Sequence, residues 1–282
     1  MQLIHPFSEL RQLISQQRGS GARIGFVPTM GALHQGHLSL VQLAQQRCDF
    51  VVVSVFVNPL QFGANEDFDT YPRTLGIDAN LLSDHDVDVL FSPSPAEVYP
   101  ASSPVKQLSA GVMGEKFEGE VRPGHFDGML TVVNRLFDIV EPDYVFFGQK
   151  DAQQVALVKQ MLSQQISSGR RSPIELVVGK TIRNESGLAL SSRNKFLNDK
   201  DLPAALSLSR ALFAGEKGST RQEVLALARA EISPQAKLEY LELVDADSFE
   251  PTEPGLTRAA LVVAAKVGEV RLIDNVYIDR KS

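Results

Sequence analysis

Arg23-Ile24-Gly25-Phe26-Val27-Pro28-Thr29-Met30-Gly31-Ala32-Leu33-His34-Gln35-Gly36-His37-Leu38 is the stretch on which the fold turns. Ile24 to Val27 reads as a short buried strand and Gly36 to Gln46 as a helix, so Pro28 to His37 joins a strand end to a helix start. In α/β proteins that junction is where phosphate binds. Glycines at 31 and 36 let the backbone approach a ligand, and the helix start aims free N–H groups and a positive dipole end at an anion. His34 and His37 lie three apart, so a helical first turn puts both imidazoles on one side. Rings so placed donate hydrogen bonds to phosphate oxygens as charge builds on them. A zinc pair and ordinary surface histidines are the competing readings; catalytic zinc needs a third protein ligand, and none stands out nearby.

Outward from that junction, strand-length apolar runs alternate with helical periodicity. A helix from Ser8, with Leu10, Leu13 and Ile14 on one face, precedes the first strand. Phe50 to Val57, rich in β-branched residues, predicts the next strand; helices near 75–82, 128–139 and 151–165 then alternate with strands at 87–91, 144–147 and 174–178. The alternation predicts an α/β domain with a mainly parallel sheet and a ligand cleft beyond the carboxyl ends of its strands. After 178 the character changes. Helices from Asp201 and Thr220 precede strands at 238–244, 259–266 and 270–278, which predicts a smaller α+β domain. The boundary falls within 170–185 and is drawn between a 1–178 domain and a 179–282 domain. Pro93, Pro95, Pro100 and Pro104 mark a long connection of the kind that often borders a site.

The chain has 282 residues, 43% hydrophobic and 22% charged, with a net charge of −6, which is ordinary globular composition without a broad basic footprint for nucleic acid. Its longest apolar stretch, Phe50 to Val57, is far short of the ~20 residues of a membrane span, and residues 1–6 lack a basic segment leading into an apolar one. No nucleic-acid or membrane partner and a cytoplasmic location are therefore expected. The one cysteine, Cys48, excludes an intrachain disulfide and a multi-thiolate zinc site.

Further segments carry possible chemistry. Phe146-Phe147-Gly148-Gln149-Lys150-Asp151 is again strand into glycine into helix; Lys150 suits a phosphate contact, while Asp151 is a helix cap or a Mg²⁺ ligand. Leu190-Ser191-Ser192-Arg193-Asn194 places two hydroxyls and a guanidinium in a polar loop after Gly187. Asn58 and Gln61, after the Phe50 strand, both donate and accept and so suit hydroxyl and carboxylate groups, or form a plain polar turn. Arg73 and Arg122 are cations in loops, either of them simply solvated on the bland reading. Standard phosphate motifs fail: Ile174 stands where a P-loop ending in Gly179-Lys180-Thr181 needs its first glycine, and there is no dinucleotide fingerprint or Gly-x-Ser-x-Gly elbow.

Taken in order, Pro-Thr-Met-Gly-Ala-Leu-His-x-Gly-His at 28–37, Phe-Val-Asn-Pro-x-Gln-Phe at 56–62, Tyr-Pro-Arg-Thr at 71–74, Arg-Pro-x-His-Phe at 122–126, Phe-Gly-x-Lys-Asp at 147–151, Ser-Ser-Arg-Asn at 191–194 and Arg-Leu-Ile-Asp-Asn at 271–275 resemble the pantothenate synthetases, the AMP-forming pantoate–β-alanine ligases. The resemblance implies a Rossmann-like nucleotidyltransferase domain with a smaller C-terminal lid domain, and a homodimer. It implies that Met30, Gly31, Ala32, Leu33, His34, Gln35, Gly36 and His37 line the ATP site. Gly148, Gln149, Lys150, Asp151, Ile182, Leu190, Ser191, Ser192 and Arg193 complete it. His37, His34, Lys150 and Arg193 are the implied catalytic groups. Gln61, Gln154, Asn58 and Met30 would meet the organic substrates. Asp78 and Asp151 are the metal candidates for Mg²⁺, which enters with ATP; no tightly bound organic cofactor is implied. Leu190 replaces a Met common in the family, and Asn134 stands where a small hydroxyl residue is expected.

The implied reaction has two steps. A pantoate carboxylate attacks the α-phosphorus of ATP, expelling pyrophosphate; the amine of β-alanine then attacks the pantoyl adenylate and expels AMP. Such chemistry needs no enzyme nucleophile, in keeping with the missing nucleophile motif, and depends on positioning and charge stabilisation. Two alternatives remain open: a nucleotidyltransferase that releases a stable adenylylated product, and a nucleotide-binding module without turnover.

Overall fold

The structure, a computed structural model, describes residues 1–63, 66, 68–255 and 258–279. The chain folds as two compact units. One comprises Met1–Phe147 and Leu157–Gly179; the other comprises Gly148–Ala156 and the described residues from Lys180 onward.

The first unit runs β1 (Gln2–Ile4), α1 (Phe7–Gly19), β2 (Ile24–Thr29), α2 (Gln35–Gln45), β3 (Phe50–Val55), α3 (Leu75–Ser83), β4 (Val89–Phe91), α4 (Pro95–Val98), α5 (Glu118–Val121), α6 (His125–Val140) and β5 (Tyr144–Gly148). After α7 (Ala152–Ser167) the chain returns through β6 (Glu175–Gly179). The six strands form one parallel sheet in the order β1-β4-β3-β2-β5-β6. Its centre is apolar on both faces: five of the six residues of β3 are buried, as parallel strands covered by helices require. The order reverses between β2 and β5, which pair through Gly25↔Tyr144 and Phe26↔Val145. At such a reversal the connections leave in opposite directions and open a crevice at the strand ends.

Most differences from the sequence reading lie at element ends. The first helix begins at Phe7, not Ser8, because the Glu97 carboxylate accepts the Phe7 N–H at 2.7 Å and substitutes for a cap; Pro6 occupies the cap position. Strand β1 escapes detection because three residues carry no period; it is recruited by pairing Gln2↔Val89 through Ile4↔Phe91. The helix read from Gly128 starts three residues earlier, at His125. Cys48 is buried, and burial pushes its thiol up to about 11, so it serves packing.

In the second unit α8 (Leu202–Gly215) and α9 (Arg221–Glu231) precede an antiparallel meander of β7 (Ala236–Asp245), β8 (Ala259–Val267) and β9 (Val270–Ile278). Leu208, Ala211 and Leu212 of α8 share a core with Leu241, Leu243, Leu261 and Val263. Of β8, Lys266 alone is exposed. Among the described residues no helix is long and apolar enough to cross a membrane.

Candidate active site

The β2–α2 junction is held from beneath by Asp78. Its carboxylate is 1% exposed and accepts the Ala32 N–H at 3.1 Å, the Leu33 N–H at 2.9 Å and the Thr74 hydroxyl at 3.1 Å. Those bonds stabilise a backbone that is costly on its own: Gly31 and Ala32 have φ of 83° and 51°, and only the first is a glycine. A Cβ at Gly31 would lie 2.9 Å from Val55 Cγ1, so position 31 is constrained in shape as well as in φ. Asp78, expected as a metal candidate, here holds the loop through these three hydrogen bonds. Among the described residues no cluster of three His, Cys, Asp or Glu side chains suits a metal ion.

His34 caps α2 in an extended conformation rather than sitting in its first turn. Its Nδ1 accepts the Gly36 N–H at 3.1 Å, while His37 Nδ1 accepts the His34 N–H at 3.3 Å, a reciprocal capping box built from two imidazoles. A nitrogen that accepts an N–H carries no proton, so both rings are neutral tautomers with Nε2 as the donor. The rings lie 4.1 Å apart, tilted by 37°. Gly36 is explained by the same contact. A Cβ there would meet the His34 ring at 2.9 Å, so the glycine makes room for that side chain.

Beside this loop, in the same unit, the Pro59–Gln61 turn presents Gln61. Asn58, 1% exposed, donates from Nδ2 to Gln61 Oε1 and to the Gly128 carbonyl, both at 3.1 Å, while its Oδ1 accepts from the Leu60 N–H and from Tyr99 Oη at 2.8 Å. Asn58, expected to meet substrate, thus has both ends of its amide engaged inside the protein and orients Gln61. With Oε1 facing Asn58, Gln61 Nε2 points toward Met30, whose Sδ is 2.9 Å away. A thioether is a weak acceptor that a carboxylate or hydroxyl displaces readily. The long proline-containing connection reaches this region through Tyr99.

His125 supports the other side of the turn. Its Nδ1–H donates to the Gln61 carbonyl at 2.7 Å, and its Nε2 accepts from Arg122 at 3.1 Å. Burial, followed by the nearby Arg122 charge, lowers His125 to about 4, so it is neutral at physiological pH. Arg122 is not a solvated cation: it grips the Glu66 carboxylate through two hydrogen bonds of 2.9 and 2.5 Å. Arg73 folds back onto the carbonyls of Phe68, Asp69 and Tyr71. Asn134, at the position expected to hold a small hydroxyl, accepts from Gln165 and Arg171 and ties α6 to the chain leading into β6.

The second unit contains the remaining expected residues. Lys150 Nζ lies 3.2 Å from Asp151 Oδ1, with the lysine side chain 21% and the aspartate 48% exposed. Gln154, expected to hold pantoate, is half-buried in the first turn of α7. Residues 182–190 form a tight hairpin: the Leu190 N–H donates to the Ile182 carbonyl, Arg183 bridges Ala189, and Gly187 turns the chain at φ 95°. Ile182 and Leu190 are thereby paired, and the next residues form a 3-10 turn over Ser192–Phe196, capped by Ser191 Oγ accepting the Arg193 N–H. Thr181 Oγ1 and Asn194 Oδ1 are buried without a hydrogen-bond partner at either end of this segment.

Comparison with known proteins decides the family. The family model described as Pantoate-beta-alanine ligase matches residues 2–277. The chain belongs to the pantoate–β-alanine ligase family. Curated pantothenate synthetases of Nocardioides sp. and Pelotomaculum thermopropionicum are 47% and 44% identical to it, covering 97% and 99% of this chain and 84% and 99% of theirs. A crystal structure of pantothenate synthetase from Thermus thermophilus superposes with a TM-score of 0.89 at 40% identity, covering 99% of each chain. The pantoate–β-alanine ligase of Francisella tularensis, complexed with beta-gamma ATP and beta-alanine, is 35% identical with a TM-score of 0.81 over 100% of this chain and 99% of its own. The chain is accordingly an enzyme, a ligase of pantothenate biosynthesis that joins pantoate to β-alanine.

Within this ligase, sequence reasoning singled out the residues that present donors but missed those that aim them. Asp78 drew notice only as a carboxylate, and His125 and Tyr99 drew no role. Asp274 and Asn275 of the 271–275 motif are buried in β9, 6% and 3% exposed. Two consecutive polar residues between the apolar pairs Leu272-Ile273 and Val276-Tyr277 were the available signal.

Proposed function

We propose that this ligase activates pantoate as pantoyl adenylate on ATP and transfers the acyl group to β-alanine. The reading rests above all on the imidazole pair. Two neutral rings, locked as Nε2–H donors at a helix start, supply hydrogen bonds to phosphate oxygens without a proton having to leave. Lys150 and Arg193, by the family resemblance, supply fixed positive charge for ATP. The orphaned Thr181 and Asn194 oxygens are ready for polar groups of a nucleotide.

Gln61 Nε2, aimed by Asn58, receives a pantoate oxygen in place of the Met30 sulfur. The pantoate carboxylate then attacks the α-phosphorus and pyrophosphate departs; the β-alanine amine attacks the acyl carbon and AMP departs. Mg²⁺ arrives with ATP and needs few protein ligands, because phosphate oxygens and water complete its shell. Gln154 contributes to holding pantoate, and the enzyme works as a cytoplasmic homodimer.

Pyrophosphate release that requires pantoate, followed by pantothenate and AMP only when β-alanine is added, is the expected result. Release independent of pantoate, or a stable adenylylated product insensitive to the amine, overturns the reading. Light scattering tests the dimer separately.

A further inference from the structure

The 271–275 motif remains without a role in this mechanism, and within the second unit its last two residues touch the Gln149–Lys150 segment assigned to ATP and Arg183, in the hairpin that leads to Ser191–Arg193. Asn275 Nδ2 donates to two consecutive carbonyls, Gln149 at 2.9 Å and Lys150 at 2.8 Å, and its Oδ1 lies 3.3 Å from Gln149 Nε2. All three hydrogen bonds of one buried amide thus converge on the backbone and neighbour of Lys150. Asp274, next to it, receives Arg183 through two hydrogen bonds of 2.6 and 2.9 Å and also accepts the Asn275 N–H at 2.8 Å. Arg183 in turn donates to the Gly187 carbonyl at 3.2 Å and so closes the hairpin that leads into Ser191 and Arg193.

We propose that Asn275, braced by Asp274, is a positioning residue for adenylate formation: it fixes the backbone carrying Lys150 and ties it to the hairpin that presents Ser191–Arg193. The inference rests on the assignment of Lys150 to ATP. A purely stabilising role accounts poorly for the arrangement. A buried ion pair is weak evidence for stability, and an apolar pair would hold the middle of a strand at least as well. What an amide offers that an apolar residue lacks is direction. Two donors on one nitrogen set the orientation of two successive peptide planes, and with them the departure point of the lysine side chain.

The test is Asn275→Ala, with Asn275→Ser as the milder variant should the first fail to fold. Pantoate-dependent pyrophosphate release is expected to fall by about tenfold to a hundredfold, the scale of an ångström misplacement. The half-reaction of chemically supplied pantoyl adenylate with β-alanine is expected to stay within about twofold. Leu272→Ala, a core truncation in the same strand, is expected to lower the melting temperature while retaining the rate below it. In a Lys150→Ala background, Asn275→Ser is expected to add no more than about threefold, because its effect runs through a side chain already removed. A folded Asn275 variant with the parental rate, equal losses in both half-reactions, or losses that multiply in the double variant overturn the proposal. Lys150→Ala with undiminished pyrophosphate release overturns instead the assignment of Lys150.

Discussion

Gly128→Ala probes the coupling between helix packing and substrate orientation. Gly128 lies one turn into α6, where an added Cβ would stand 2.0 Å from the Leu60 carbonyl oxygen and 2.7 Å from the Gln61 nitrogen. Contacts of real Cβ atoms below 3.0 Å essentially never occur, so the Pro59–Gln61 turn must retreat from the helix by about 1 Å. That retreat lengthens the 3.1 Å bond from Asn58 to the Gly128 carbonyl and the 2.7 Å bond from His125 to the Gln61 carbonyl. Overpacking of this kind costs about 1–3 kcal/mol, which for a chain of this size lowers Tm by about 2–10 °C. The larger effect is functional: a Gln61 amide displaced by about 1 Å is expected to lose on the order of 10²-fold in kcat/KM for pantoate. The assay is pantoate-dependent pyrophosphate release with pantoate and ATP titrated separately, alongside a thermal melt. Gly76→Ala is the control, since a Cβ there meets nothing within 4 Å. A folded Gly128→Ala enzyme with parental kcat/KM for pantoate, or one whose ATP dependence suffers equally, refutes the reasoning.

His34→Ala and His37→Ala are each expected to slow adenylate formation by about 10²-fold or more, the scale of one lost oxyanion donor, and single-turnover measurement of pyrophosphate checks this. Asp78→Asn presents an NH₂ toward one of the N–H groups its carboxylate now accepts; a loss of about 1–3 kcal/mol, read by denaturant titration, is expected with slower adenylation, and neutral behaviour in both would remove its role in the loop. His125 titrates at about 4 in the fold against 6.5 unperturbed. The unfolded chain therefore binds more protons than the fold between those values, so the stabilising contribution is complete above pH 6.5 and is lost as pH falls toward 4. It amounts to about 1–3 kcal/mol for this half-buried ring. Unfolding free energy measured across that window is expected to show the slope, and His125→Gln to flatten it; an unchanged slope in the variant contradicts the assignment.

The architecture was legible because its signals are local. A buried parallel strand such as Phe50–Val55 is a run of apolar β-branched residues, and the helices between strands repeat with their own period, so the α/β alternation and the change of character after 178 emerge from the sequence. The ends were less legible because they depend on distant groups: the start of α1 is decided by Glu97, 90 residues away. The site divides in the same manner. His34, Gln61 and Lys150 announce themselves as donors after strand ends, and Arg193 as a cation in a polar loop. Asn58, by contrast, has the composition of a substrate contact, and only its complete burial with all groups engaged reveals a residue that acts through Gln61.

From sequence alone come the family, the strand–helix alternation and the residue types able to meet phosphate and carboxylate, because each is carried by order and spacing along the chain. Tertiary structure alone decides which nitrogen of each imidazole holds the proton, which end of the Gln61 amide faces outward, and why Gly128 must lack a side chain. Those properties arise from hydrogen bonds and close approaches between atoms that a linear pattern leaves unconnected: the Asp78 carboxylate under Ala32 and Leu33, the Leu60 carbonyl against Gly128, the Asn275 amide across Gln149 and Lys150. Direction at a site is a property of packing, and packing is settled only when the chain has closed on itself.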